Sequence, residues 1–215
     1  MPYSDSVLTK RKFSRGIREL TERDAELAGS VSKWGDPPFW IHPAGFPGIV
    51  FAVLSQQVSL ESARATATKL QAVLGTLDSK RFLALSDSAL RLAGFSRQKT
   101  SYIRGIAREI TAGKLVLEKL DGMDDEKARQ RLMRVRGIGS WTADTYLLFS
   151  MRRSDVWPSG DLALELAVRE ITNSLVLRDS AEIDNFALRW SPWRAVAARI
   201  LWHHYLRERG RAVPG

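Results

Sequence analysis

Apolar residues along this 215-residue chain recur at intervals of three and four almost throughout, the period of an α-helix with one buried face. Phe46, Ile49, Val50, Val53 and Leu54 form one such stripe. Ser59 stands where an N-cap hydroxyl is wanted, and Ala63, Ala67, Leu70, Val73 and Leu74 follow as inward positions up to Gly75. Short helices are expected after Asp78 and Ser86, the second closing at Gly94. Ser96 caps a longer one with Ile103, Ile106, Ala107 and Ile110 inward, ending at Gly113. Further helices are expected over about Phe13 to Ala28, Asp124 to Val135, Ser140 to Phe149, Leu162 to Ile171, Ala181 to Leu188 and Trp193 to Leu206. No stretch alternates apolar and polar residues between hairpin turns. The expected fold class is all-α, with ten or so short helices.

Proline and glycine gather in two places. Gly35-Asp36-Pro37-Pro38, with Pro43, Gly45 and Pro47, separates the first helix from the body, and Trp157-Pro158-Ser159-Gly160 separates the central run from the C-terminal helices. Neither is long or polar enough for a flexible interdomain linker. No tandem repeat at a fixed period is present.

Composition narrows the chemistry. Hydrophobic residues make up 44% of the chain, enough for a proper core, and charged residues are 27% and mixed in sign. The absence of cysteine excludes a disulfide scaffold, a thiolate zinc site, a cysteine nucleophile and a Cys-ligated iron–sulfur cluster. Three histidines, His42, His203 and His204, make a dedicated histidine metal site an unpromising reading. The net charge of +9 fits a polyanion, either nucleic acid or an anionic membrane surface, and equally fits charge kept for solubility. No apolar run reaches the roughly 18–20 residues of a membrane span. Met1 to Asp5 lack the pattern of a signal peptide, so a soluble, intracellular protein is expected.

Residues 124–151 carry the most chemistry. Two helical patterns are joined by Arg136-Gly137-Ile138-Gly139, with Leu132 and Val135 before the turn and Ala143, Leu147 and Leu148 after it. Two glycines around one apolar residue allow a tight turn and close backbone approach to a ligand. A helix starting at Ser140 presents unsatisfied N–H groups, a ready phosphate site, with Arg131, Arg134 and Arg136 on the approach. A plain helical hairpin with a glycine turn is the alternative.

Arg136-Gly137-Ile138-Gly139-Ser140-Trp141-Thr142-Ala143 resembles the hairpin of the helix-hairpin-helix (HhH-GPD) DNA glycosylases, and within them the 3-methyladenine glycosylase II branch. Ala52 to Ser59 resembles the helix and loop that enter the duplex, and Gly94 to Lys99 the next landmark. Pro158-Ser159-Gly160-Asp161-Leu162 places an acidic residue 22 positions after Gly139, the family spacing of the catalytic aspartate. Trp190-Ser191-Pro192-Trp193-Arg194, with Trp202 eight residues after Arg194, resembles the C-terminal pocket helix. The likeness spans about residues 20 to 207. Departures are Arg136 for the usual proline, and Trp141 where strand-cleaving relatives carry a lysine. Thr145 stands where an aromatic sometimes occurs, and the N-terminal β domain of some members is lacking.

The resemblance implies a single unit over 1–215 with two helical subdomains flanking a DNA-binding cleft. One subdomain is 46–151, with the hairpin at 136–139; the other is 1–45 plus 152–215, bearing the catalytic aspartate. The implied function is a monofunctional glycosylase that flips out and excises alkylated, cationic purines such as 3-methyladenine in base excision repair. Hypoxanthine or uracil as the lesion, or a non-catalytic DNA-binding module, are the alternatives. A cationic base already leaves readily, so the main demand is a carboxylate beside the sugar, and Asp161 takes that role; it can also simply cap the following helix. Trp141, Trp202 and Trp40 are the implied base-pocket residues, because π faces favour a cationic base, while Trp190 and Trp193 belong to the core. Gln57 is the implied wedge, or else a polar loop residue. Arg134, Arg136, Gly137, Gly139, Ser140 and Thr142 are implied to hold the DNA backbone. Main-chain carbonyls of Met133, Val135 and Ile138 are implied ligands of a structural monovalent cation; no cofactor is required for catalysis and no iron–sulfur cluster is expected. His203 and His204 are expected as surface or groove contacts. The implied partner is damaged double-stranded DNA, met by a monomer without a membrane, in the cytoplasm (nucleoid-associated if bacterial).

Overall fold

Twelve α-helices and two 3₁₀ turns form among the residues described by the computed structural model, which are 7–173, 177 and 179–213; no β-strand is found among them. The N-terminal Met1–Asp5 read for a signal peptide lie outside that set. No described helix is long and apolar enough to cross a membrane. The chain divides into two units, one of residues 1–41 with 152–215, the other of 42–151.

The discontinuous unit contains α1 (Lys10–Arg23), α2 (Ala25–Trp34), α10 (Leu162–Thr172), α11 (Ser180–Ala187) and α12 (Arg194–Glu208). Two helices stand where the periodicity predicts one over about Phe13 to Ala28. Asp24 causes the break: in an extended conformation it ends α1, and its side chain accepts the Leu27 N–H at 3.0 Å to start α2. The same buried carboxylate accepts the Trp190 indole N–H at 2.7 Å and meets Arg189 at 3.2 Å. α12 is the spine. Ala195, Val196, Ala197, Ala198, Ile200 and Leu201 are all buried, as expected of a helix covered on more than one side by α2, α10 and α1. Trp190 and Trp193 lie in this core.

The continuous unit contains α3 (Phe46–Leu54), α4 (Leu60–Leu74), α5 (Ser79–Ala84), α6 (Asp87–Leu92), α7 (Arg97–Thr111), α8 (Asp125–Met133) and α9 (Ser140–Phe149). Ser59, Asp78, Ser86, Ser96 and Asp124 all cap as their side chains dictate, each accepting a backbone N–H three residues on. The apolar stripe of α3 is buried completely and packs on α9, α4 and α7. Val73, expected to face inward, is 58% exposed, because α4 is held to the core mainly through Ala63 and Leu70 in its first three turns.

Candidate functional site

Asp161 is the N-cap of α10, and its side chain does two things at once. Oδ1 accepts the Leu164 N–H at 3.0 Å and the Trp202 indole N–H at 3.1 Å. Two donors on one oxygen fix the plane of the carboxylate, which suits a group that must face a reacting atom. The loop before it is held as firmly. Asp184 on α11 accepts the Trp157 indole N–H at 2.9 Å and the Ser159 hydroxyl, and Gly160 at φ 73° turns the chain into the cap. At the start of α12, both Asp155 oxygens take the Arg194 guanidinium at 3.0 Å. The helix carrying Trp202 is thus tied to the segment that leads into the Asp161 loop.

Trp40 belongs to the same unit. Its carbonyl accepts Arg199 Nη2 at 3.1 Å, while Nη1 donates to Ala195 O at 2.8 Å. Arg199 is fully buried with its guanidinium 5.9 Å and 5.7 Å from the Phe13 and Phe39 rings, and burial pushes its pKa down to about 9. A buried cation one turn before Trp202 therefore sets the backbone of Pro38–Trp40. The histidines of α12 differ from expectation. His203 and His204 are 6% and 7% exposed, not surface contacts, because α2 and α10 cover this turn. Desolvation lowers both pKa values, and His204 Nδ1 lies 3.2 Å from Ser30 Oγ.

In the other unit, α8 ends at Met133 and α9 begins at Ser140, with Val135 and Ile138 buried between them. Gly137 has φ 98°, and a Cβ there would stand 2.5 Å from Tyr102 side-chain atoms, so both the conformation and the space require glycine. Gly139 is the N-cap of α9 and offers no side-chain acceptor. No side-chain cap therefore covers the first N–H groups of α9, which stand at the positive end of the helix dipole. Arg134 and Arg136 are exposed beside it. Arg131 is turned away from this end, since its guanidinium donates to the Lys114 carbonyl.

The hydroxyls of the hairpin face inward. Ser140 Oγ donates to Asp144 Oδ2 at 3.4 Å. Thr142 is 3% exposed and its Oγ1 accepts Gln56 Nε2 at 2.8 Å, so its hydroxyl is turned to the protein and not to phosphate. Asp144 is fully buried against Arg129 Nε at 2.8 Å; burial outweighs that charge and pushes its carboxyl up to about 6. Trp141 is half-buried, and Thr145 is buried with its hydroxyl donating to Thr142 O at 3.0 Å. Gln57 is exposed and holds φ 55°, an unusual conformation for a residue with a side chain.

The roles of Gln56, Asp144, Asp184 and Arg199 escaped the sequence reading. Asp144 had a visible signal, the lone carboxylate in the run from Trp141 to Phe149. The other three act across long sequence separations and leave no local mark.

The HhH-GPD superfamily base excision DNA repair protein model matches residues 50–191. The "Alkylbase DNA glycosidase-like protein mag2" of Schizosaccharomyces pombe is 25% identical over 88% of this chain and 92% of its own length. A Bacillus subtilis protein named "DNA-3-methyladenine glycosylase" is 30% identical over 74% of this chain, which spans 57% of that relative. Among solved structures, a DNA-3-methyladenine glycosidase from Bacillus halodurans superposes with TM-score 0.73 at 26% identity over 88% of both chains.

Proposed function

The chain belongs to the HhH-GPD superfamily of base excision DNA repair proteins, and we propose that within it this protein is a monofunctional DNA glycosylase that releases alkylated, cationic purines such as 3-methyladenine. The observation that carries the reading is the Asp161 carboxylate, held by the Leu164 N–H and the Trp202 indole N–H. A purine alkylated at N3 carries positive charge and leaves as a neutral base, so the difficult part is charge that develops at C1′ of the sugar. An anchored carboxylate stabilises that charge and takes a proton from the attacking water. Trp202 and Trp40 are assigned as π faces for the cationic base, worth roughly 0.5–2 kcal/mol of preference over a neutral one. Trp141 is assigned the same task, and because it occupies the position of the strand-cleaving lysine, no Schiff base forms there. Similarity to a relative named for 3-methyladenine supports the choice of lesion.

DNA is gripped, in this reading, by the N–H groups at the start of α9 with Arg134 and Arg136, while Gln57 enters the gap left by the flipped nucleotide. The hairpin also suits a monovalent cation. Met133 closes α8 and Val135 lies just beyond it, where carbonyl oxygens carry the negative end of the dipole, and with the Ile138 carbonyl they make a neutral all-oxygen donor set. Such an ion would bridge hairpin and phosphate, away from bond cleavage.

Asp161→Asn is the test. Asparagine caps a helix as well as aspartate does, so the variant should melt within a few degrees of the wild type and bind DNA normally. Base release from methylated duplex should fall by about 10²–10⁴-fold. Unchanged release would remove Asp161 from the reaction. Release profiles on duplexes carrying 3-methyladenine, 7-methylguanine, hypoxanthine and uracil identify the lesion, and borohydride trapping at an abasic site should capture nothing.

A further inference from the structure

Gln56 joins two parts of the DNA-binding unit that are far apart in sequence. Its Nε2 donates to Gly137 O at 3.0 Å and to Thr142 Oγ1 at 2.8 Å, one partner in the hairpin turn and the other in the first turn of α9. The next residue is Gln57, exposed and at φ 55°. Two residues before Gln56, Lys99 Nζ donates to Leu54 O at 2.6 Å and holds the carbonyl that ends α3. The segment that leads into Gln57 is therefore held at two points, to α7 by Lys99 and to the hairpin by Gln56.

We propose that Gln56 is a positioning residue that couples the hairpin to Gln57, so that seating of phosphate on the hairpin and entry of Gln57 into the duplex occur as one event. This rests on the assignment of Gln57 as the wedge and of the hairpin as the phosphate grip. Several features favour coupling over a merely structural bond. α3 and α9 already pack on each other, and both bury apolar side chains, Val50 and Val53 on one, Ala143 and Leu147 on the other, so the amide is not needed to hold them together. Gln56 lies at the rim, only part-buried, where a hydrogen bond adds little to stability. Its target is the Gly137 carbonyl, at a residue that lies close against the Tyr102 side chain. Any shift of that peptide on meeting phosphate is passed straight to the residue before Gln57.

The amide nitrogen is the donor in both bonds, so Gln56→Met removes them at similar side-chain length. The variant is compared with Gln57→Ala for binding to an undamaged duplex and to a duplex with an abasic-site analogue. A third duplex carries 2-aminopurine beside the analogue, to report unstacking by fluorescence. Gln56→Met should bind undamaged DNA within about twofold of the wild type. It should lose roughly tenfold of the preference for the abasic-site duplex, with a matching drop in fluorescence gain. The double variant should be no worse than Gln57→Ala alone, since both changes act on one event. Equal loss on both duplexes, or an unchanged preference, overturns the coupling. If Gln57→Ala itself leaves preference and fluorescence unchanged, the wedge assignment fails and the coupling with it, a pattern distinct from failure of Gln56→Met alone. Thr142→Val, which removes one acceptor, provides the same reading by a smaller amount if the methionine variant does not fold.

Discussion

At the scale of single residues, the proposed reaction gives Trp202 two separable tasks. Its ring offers a π face, and its indole N–H donates to Asp161 at 3.1 Å. A hydrogen bond to a charged acceptor is worth about 1.5–3 kcal/mol. Carboxylate orientation is a demand of the transition state, whereas ring contact with the base is felt already in the bound ground state. Trp202→Phe keeps a face and removes the donor. It should lower kcat roughly tenfold while KM for methylated DNA changes less than about threefold. Trp202→Leu, which removes both, should raise KM as well. A phenylalanine variant with full kcat and a raised KM would leave the indole N–H without a part in catalysis. Asp161 shows the same economy: the cap that starts α10 and the proposed catalytic group are one side chain, and the capping is compatible with the proposed role.

Among the elements, the α8–α9 hairpin is held by a carboxylate buried at some cost. Asp144 is pushed up to about 6, above the ordinary 3.8, chiefly by burial. In the folded protein it keeps its proton up to about pH 6, whereas the unfolded chain releases it near 3.8. Between these values folding takes up a proton, so this group's contribution is greatest below about pH 4 and is lost as the pH rises through 6, at up to about 1.4 kcal/mol per pH unit. Relative to Asp144→Asn, wild-type stability should fall from pH 4 to 6 in urea unfolding and run parallel above about 6.5. A difference independent of pH would show that the carboxylate ionises as in water. Elements were legible where their causes are local. Ser59, Ser96 and Asp124 cap with their own side chains three residues ahead, and α9 runs from Ser140 to Phe149 as its pattern predicts. The split at Asp24 was not, because one carboxylate both starts α2 and receives Trp190 from 166 residues away. The candidate site divides the same way. The turn Gly137-Ile138-Gly139 and the cap Asp161 are written in short motifs, while Arg199 under Trp40, Asp184 behind the Asp161 loop and Gln56 on the hairpin exist only through tertiary packing.

For the molecule as a whole, the question is whether the net charge of +9 acts as a diffuse field or through particular contacts. A diffuse field speeds encounter and depends on total charge. A contact that neutralises a phosphate releases condensed counterions, and each one adds about 0.9 to the slope of log affinity against log salt on duplex DNA. Arg134 and Arg136 are exposed at the hairpin, whereas Arg131 is already spent on the Lys114 carbonyl. Lys10 and Arg11 are exposed on α1, in the other unit. Arg134→Ala with Arg136→Ala and Lys10→Ala with Arg11→Ala each remove two positive charges and leave the net charge equal. Binding of undamaged duplex, titrated at several salt concentrations, should lose up to about 1.8 from its slope in the hairpin pair. The α1 pair should keep the wild-type slope within error, and Arg131→Ala should resemble the α1 pair. Equal loss of slope in the two double variants would mean that the surplus works only through its total, and the hairpin would lose its place as the phosphate grip.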